Sequence, residues 1–169
     1  DRKDALTIAK LVKDGRYSEM YLPKEEYSEL RALTLTRIEV SKTQNSTKNR
    51  IRALMDEYFP EFEIVFKTFI EGKAALHLLK NCPFPQDVLK LNELEIQKLL
   101  KEVVKKTVGI KRIKELQDVA KTSVGVTIGI EGAKIRLQVL LENYEHNVKH
   151  LDLIENEMEK QLQQTGYLE

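Results

Sequence analysis

The chain contains two long stretches with few helix breakers, and these limit its fold more than any other feature. The first lies between Pro23 and Pro60. Pro23 followed by Glu25 and Glu26 suits a helix N-terminus, where a missing N–H does no harm and negative charge meets the helix dipole. The stretch predicts a helix of about 35 residues, roughly 50 Å long. Its 3-4 seam is apolar at both ends and polar in the middle: Leu30, Leu33, Arg37, Val40, Gln44, Thr47, Ile51, Leu54 and Tyr58.

The second stretch, from about Ile130 to Gln164, repeats apolar residues through about five heptads. Its seam consists of Ile130, Leu137, Leu141, Tyr144, Val148, Leu151, Ile154, Met158 and Leu162. Because the two helices match in length, they are expected to pair as an antiparallel coiled coil, within one chain or between two. The intervening segment then forms a small helical tip. The predicted fold class is therefore all-α.

Shorter helices are predicted elsewhere. Residues 1–14 carry one apolar face and end at Gly15. Residues 61–91 are read as short helices, with a strand at 62–66 as the alternative. Asn92 and Glu95 form a capping arrangement for a helix at 93–106, and a tight turn at 108–110 leads to a helix at 111–122. The predicted divisions are 1–22 (helix and linker), 23–60 (first long helix), 61–125 (tip), 126–167 (second long helix) and 168–169, which resemble a cloning scar.

Composition narrows the class of protein. Charged residues make up 33% of the chain, which suits long solvated helices. Cys82 is the single cysteine, so no disulfide forms within the chain, which fits a reducing compartment. There is no apolar signal region, and no apolar run is long enough to cross a bilayer. We expect a soluble, cytoplasmic protein with no membrane partner and no small-molecule substrate.

Positive charge is concentrated in the middle of the chain. Residues 98–121 hold eight basic and three acidic residues, a net +5, whereas residues 130–164 have a net −3. Two short helices joined by a glycine turn resemble a helix-hairpin-helix, which presents backbone N–H groups to a phosphate. A basic tip on an acidic stalk indicates nucleic-acid binding; the alternative is the solvated face of two ordinary helices. The candidate residues are Lys105, Lys106, Gly109, Lys111, Arg112 and Lys114.

Acidic, histidine and cysteine residues are weaker candidates for metal ligands or for a nucleophile. Asp1 and Asp4 share a helix face that continues into Ile8 and Val12, so these carboxylates are expected on the inward side, where they would suit Mg²⁺. On the residues alone, however, simple complementation of the helix dipole by first-turn acids is the favoured interpretation. The set Glu142, His146 and His150 has metal-ligand spacing, but a solvated helix face is the favoured interpretation. Cys82 is interpreted as a buried apolar residue rather than a nucleophile.

Several segments resemble one family along almost the whole chain. Residues 1–9 (DRKDALTIA) are similar to the D-x-x-D-A-x-x-[IL]-A segment of bacterial insertion-sequence transposases of the DEDD type, family one-hundred-and-ten, also called bridge-RNA-guided recombinases. The further matching segments are residues 30–33 with Arg37, residues 49–54, residues 58–60, Leu78-Leu79 with Pro83 and Pro85, and residues 120–125.

The resemblance implies a ribonuclease-H-like domain with four acidic ligands for Mg²⁺, a coiled-coil region, and a domain with a catalytic serine. Asp1 and Asp4 match the last two acids; the other two and the serine domain lie outside this sequence, and Ser123 is not that serine. We therefore expect a fragment without activity of its own from an enzyme that performs metal-assisted DNA strand exchange. Its role would be to space the domains and pair protomers around DNA and possibly a guide RNA, in a bacterial cytoplasm.

The sequence thus predicts the central oligomerisation and nucleic-acid-contacting region of a DNA transposase. The rival hypothesis is a stand-alone helical coiled-coil adaptor that binds a protein partner and no nucleic acid. A third hypothesis, a metal-dependent nuclease in its own right, requires two further acids near Asp1 and Asp4, and the sequence offers none at nearby helix starts.

Overall fold

The computed structural model describes residues 2–16, 25–104 and 109–164, and within these ranges the chain forms eight helices. The two long ones are α2 (Glu25–Tyr58) and α8 (Ile130–Gln164), as the sequence predicts. The others are α1 (Arg2–Lys13), α3 (Phe62–Val65), α4 (Lys73–Asn81), α5 (Pro85–Val88), α6 (Glu93–Lys101) and α7 (Ile110–Lys121). The all-α prediction is confirmed.

The long helices α2 and α8 pack against each other in antiparallel orientation within one chain. Early α2 meets late α8 at Arg37, whose guanidinium contacts the Glu155 carboxylate at 2.7 Å. At the other end, the Val126 N–H just before α8 donates to the Glu57 carbonyl near the end of α2, at 2.9 Å. This pair, here called the rod, is the antiparallel coiled coil that the matching lengths predict.

The helices α3 to α7 form a compact tip at the end of the rod where α2 stops and α8 begins. Contacts of α7 with α3, α5 and α6 hold the tip together, and α4 also packs on α6. One buried cluster runs from Ile51 in α2 through the tip to Tyr144 in α8. Four of its phenylalanines interlock, with Phe62 at 5.1 to 5.7 Å from Phe59, Phe66 and Phe69. The tip and the adjoining part of the rod therefore share one core.

A tight junction joins the tip to the rod. Ser123 Oγ donates to one Glu61 carboxylate oxygen at 2.6 Å, and the Val124 N–H donates to the other at 3.0 Å. Partial burial alone would raise the pKa of Glu61, but these hydrogen bonds outweigh it, so the pKa lies below its usual value. At Gly125 a Cβ would come within 2.2 Å of the Tyr58 carbonyl oxygen, so this position requires glycine.

The short segments test two of the sequence predictions. Residues 62–65 are helical, so the strand considered at 62–66 is wrong. The predicted helix at 93–106 begins with the expected capping box, in which Asn92 and Glu95 satisfy each other's backbone N–H groups. It ends earlier than expected, at Lys101, because residues 102–103 form a turn. The predictions for Pro23, for the turn residue Val108 and for residues 168–169 fall outside the described residues.

Helix α1 exposes its apolar side chains. Ile8 is 60% exposed and Val12 is 54% exposed, although the sequence places them on a face that should turn inward. The expectation of an inward face is wrong for this chain as it stands, because nothing in the described part of the chain buries that side. Across the same described ranges, no helix combines the length and the apolar character that a membrane span requires.

Candidate nucleic-acid interface

Helix α7 carries the described members of the predicted interface. Its inward residues Ile113, Leu116 and Ala120 are buried, as the sequence predicts, and they fix the rotation of the helix on the tip. That rotation leaves Lys111, Arg112 and Lys114 exposed on the outer side. All three lie near the N-terminal end of α7, where Lys111 and Lys114 line one surface depression and Arg112 lines another. This end of a helix also carries partial positive charge from its free N–H groups.

The residues before α7 are only partly described. Gly109 is the N-cap of the helix, and its carbonyl accepts from the Arg112 N–H at 2.9 Å. Its backbone is extended, with φ −60° and ψ 138°, which any residue adopts, and a Cβ there would meet nothing within 4 Å. The backbone at Gly109 itself therefore does not require glycine. The candidates Lys105 and Lys106 lie outside the described residues, so their contribution stays a prediction.

Within the described ranges, Lys111, Arg112 and Lys114 have one ion pair with an acidic residue, and it is weak. Lys114 Nζ lies 3.9 Å from a Glu93 carboxylate oxygen, which is a long and exposed contact. Exposed ion pairs of this kind contribute little and are screened by salt. Farther along α7, Lys121 pairs with Asp118 at 3.0 Å. The ion pairing is therefore closer at the C-terminal end of α7 than at its N-terminal end, where the candidate residues lie.

Sequence reasoning missed a cleft beside α7. The segment from Ile64 to Ala75 forms one wall of it, and Arg112 and Glu115 of α7 contribute to the other. Two exposed lysines, Lys67 and Lys73, stand on this wall. In the sequence they follow a dense apolar cluster and precede α4, without any spacing that links them to α7. Only the packing of α3 against α7 brings Lys67, Lys73 and Arg112 to one cleft.

Of the two predicted Mg²⁺ ligands, only Asp4 lies among the described residues. Asp4 lies in the first turn of α1 and is exposed, whereas Asp1 lies outside the described residues. A divalent cation needs several oxygen ligands that converge on one point. The described ranges contain no group of three or more histidine, cysteine, aspartate or glutamate side chains placed to hold a metal ion. The described residues by themselves therefore do not fit a complete Mg²⁺ site.

The other single candidates have structural explanations. His146 and His150 stack with ring centroids 5.7 Å apart on the exposed side of α8, and they belong to no metal-binding group among the described residues. Burial, together with the nearby charge of Asp87, raises the pKa of the Cys82 thiol to about 12, so the thiol stays protonated and unreactive at neutral pH. Ser123 is engaged in the junction with Glu61.

Comparison with known proteins identifies a protein family for the first part of the chain. Residues 1–60 match the model of a family described as "Transposase". That family is the DEDD type of insertion-sequence group IS110, so the resemblance is confirmed over residues 1–60, which include α1 and α2. The resemblance of the later segments, at residues 78–85 and 120–125, stays a prediction. No curated protein and no solved structure matches the chain.

Proposed function

We propose that this chain is the central oligomerisation and nucleic-acid-contacting region of a DNA transposase. The observation that supports it is the placement of an exposed basic helix end, on α7, at the tip of a rod whose first helix lies in transposase-like sequence. In the complete protein, the rod spaces the domains at its two ends, and Asp1 and Asp4 contribute to a Mg²⁺ site together with acids from outside this sequence. The partners are DNA and possibly a guide RNA.

The outer face of α8 supports oligomerisation. Ile135 is 66% exposed, Val139 is 50% exposed and Leu153 is 69% exposed. At about 100° per residue these three positions point in nearly the same direction, away from the seam that faces α2. Exposed apolar residues aligned at helical spacing are typical of helix–helix contacts between chains. A second copy packed on this stripe would pair two rods.

The nucleic-acid role is tested by charge reversal. Changing Lys111, Arg112 and Lys114 to glutamate should weaken binding to duplex DNA and to RNA by at least tenfold and flatten its salt dependence, because fewer counterions are released. Fluorescence anisotropy at several salt concentrations measures both effects. The matched control reverses three exposed rod residues, Arg31, Lys42 and Lys149, and should leave the affinity nearly unchanged.

Equal losses in the two triple variants would mean that net charge rather than the tip governs binding. No binding by the parent chain at low salt would favour the helical adaptor instead. The oligomerisation role is tested separately by sedimentation of Ile135→Lys and Val139→Lys, which should shift the chain toward monomer. Leu94→Lys, an equally exposed apolar position on the tip, is the control. A monomeric parent chain at high concentration would contradict that role.

A further inference from the structure

We propose that the cleft between the Ile64–Ala75 segment and α7, here called the tip cleft, holds an unpaired nucleotide of a single-stranded nucleic acid. The inference rests on the proposed function and makes it more specific: it names the form of nucleic acid that the tip recognises. The cleft has a volume of about 460 Å³. This falls within the range of roughly 300–1,000 Å³ that is usual for small-molecule sites.

An arginine placed over an aromatic ring offers a guanidinium on which a base can stack. The Arg112 guanidinium carbon lies 5.8 Å from the centroid of the Phe66 ring. That ring is itself held in place, since it is buried and stacks on Phe62 at 5.1 Å with an interplanar angle of 26°. Arg112 nevertheless remains exposed, so the guanidinium is accessible from solvent. Bases stack on arginine planes as they do on aromatic rings, with little preference for sequence.

The charges around the tip cleft suit a phosphate backbone. Lys67, Lys73 and Arg112 are basic, and Glu115 is the single acidic residue among those described as lining the cleft, so the lining has a net +2. All four of these side chains are exposed. A lysine ammonium binds phosphate as a point charge, whereas the arginine plane stacks on the base. The cleft therefore combines the two contacts that single-strand binding requires, namely base stacking and phosphate neutralisation.

Concave shape argues for an unpaired nucleotide rather than a duplex. The stacking surface lies between a loop wall and a helix, and the bases of a duplex are stacked on each other and unavailable for such contact. A nucleotide in a loop, bulge or single strand can be turned out and inserted. Duplex DNA, in contrast, meets a protein at its outer phosphates, which the exposed end of α7 can contact without the cleft.

The experiment compares single strands with a duplex on the whole chain. The probes are a single-stranded RNA, a single-stranded DNA of the same sequence, and a duplex, each carrying one 2-aminopurine, whose fluorescence falls when the base stacks. Arg112→Lys keeps the charge and loses the plane. We expect it to weaken binding of at least one single strand by roughly tenfold and to abolish its fluorescence change. Duplex binding should stay within about twofold of the parent chain.

Charge reversal on the opposite wall gives a second readout. Lys67→Glu with Lys73→Glu should weaken single-strand binding by more than the matched pair Lys90→Glu with Lys98→Glu, which reverses two exposed tip lysines outside the cleft. Circular dichroism of each variant checks that the helices remain. Whether RNA or DNA shows the larger effect identifies the natural source of the strand.

The outcomes separate this inference from the proposed function. Duplex binding equal to single-strand binding, with no effect of Arg112→Lys on either, would overturn the tip cleft and leave the nucleic-acid role of α7 standing. Loss of single-strand affinity that is the same for both lysine pairs would also overturn it. Failure of the parent chain to bind any of the three probes would overturn the cleft and the proposed function together.

Discussion

The two halves of the rod differ in how they are held together. In the half near the tip, the α2 residues Thr47, Ile51 and Leu54 are buried, and so are Leu137 and Tyr144 of α8. In the far half, Leu33 and Val40 are only half-buried, and Ile154 is the one buried residue among those described in α8 beyond Tyr144. The exposed Arg37–Glu155 pair lies there instead.

This contrast teaches that a continuous helix need not be uniformly stable. Burial of apolar surface is the main favourable contribution to folding, and it is concentrated where the rod merges with the tip core. The far half depends more on helix propensity and exposed polar contacts, which contribute little. We expect the tip and the adjoining half of the rod to unfold as one unit, and the far half to open at lower cost.

The largest expected difference comes from truncating one side chain in each region. Phe62→Ala removes a ring that is 0% exposed and contacts three other phenylalanines, so it should lower the free energy of unfolding by about 3–5 kcal/mol. Leu33→Ala, in the far half, should cost about 1 kcal/mol or less because that side chain is only half-buried. Urea titration followed by circular dichroism measures both, and similar losses would erase the contrast.

A second test uses two glycines, one at the junction and one on the exposed side of α8. Gly125→Ala forces a Cβ against the Tyr58 backbone and should cost about 1–3 kcal/mol or more. Gly132→Ala meets open space inside a helix and should stabilise the chain by about 0.5–1 kcal/mol. The two shifts in thermal midpoint should therefore have opposite signs. A tolerated alanine at residue 125 would show that the tip and rod are not closely joined.

Acid should weaken the junction through Glu61. Because the folded-state pKa of Glu61 is lowered, its contribution to stability is present above the usual value of 4.5 and is lost as the pH falls through the lowered pKa. Glu61→Gln should cost about 1 kcal/mol at pH 7 and reduce the acid sensitivity between neutral pH and about pH 3. Urea midpoints across that range measure the effect. Glu63→Gln, an exposed neighbour, should keep the parent profile.

The smallest effect is expected in the far half. A double-mutant cycle on Arg37 and Glu155 should give a coupling energy below about 1 kcal/mol that disappears at high salt, because both side chains are nearly half-exposed. Thermal unfolding of the parent, the two single alanine variants and the double variant supplies the four values. A coupling that is larger, or that survives 1 M salt, would mean that this pair holds the far half more firmly than its burial indicates.

Local sequence patterns were sufficient to predict where the main helices lie. Both long helices follow from apolar residues at helical spacing, and the start of α6 follows from Asn92 and Glu95, three residues apart. The inward residues of α7 were found in the same way. Each of these signals lies within a few turns of one helix, which is the range over which a sequence pattern determines geometry.

Contacts between distant residues were beyond such patterns. Glu61 and Ser123 are 62 positions apart. Asp87 and Lys134 are 47 positions apart, and the Lys134 ammonium donates a hydrogen bond to the Asp87 carboxylate at 2.8 Å. No spacing links these partners, because they meet only after the tip has packed on the rod. The same applies to Lys67, whose position beside α7 depends on the path of the loop before α4. The candidate interface was therefore predicted along α7 and missed across the cleft.

The shared core at the base of the tip makes the rod a lever. Tyr144 of α8 and the phenylalanines of the tip belong to one packed cluster. The tip is therefore expected to move together with the adjoining end of the rod rather than rotate against it. With a rod of roughly 50 Å, a tilt of about 10° imposed on the tip displaces the opposite end by about 9 Å. Docking of the tip on a partner would thus reposition whatever is attached to the other end by several ångströms.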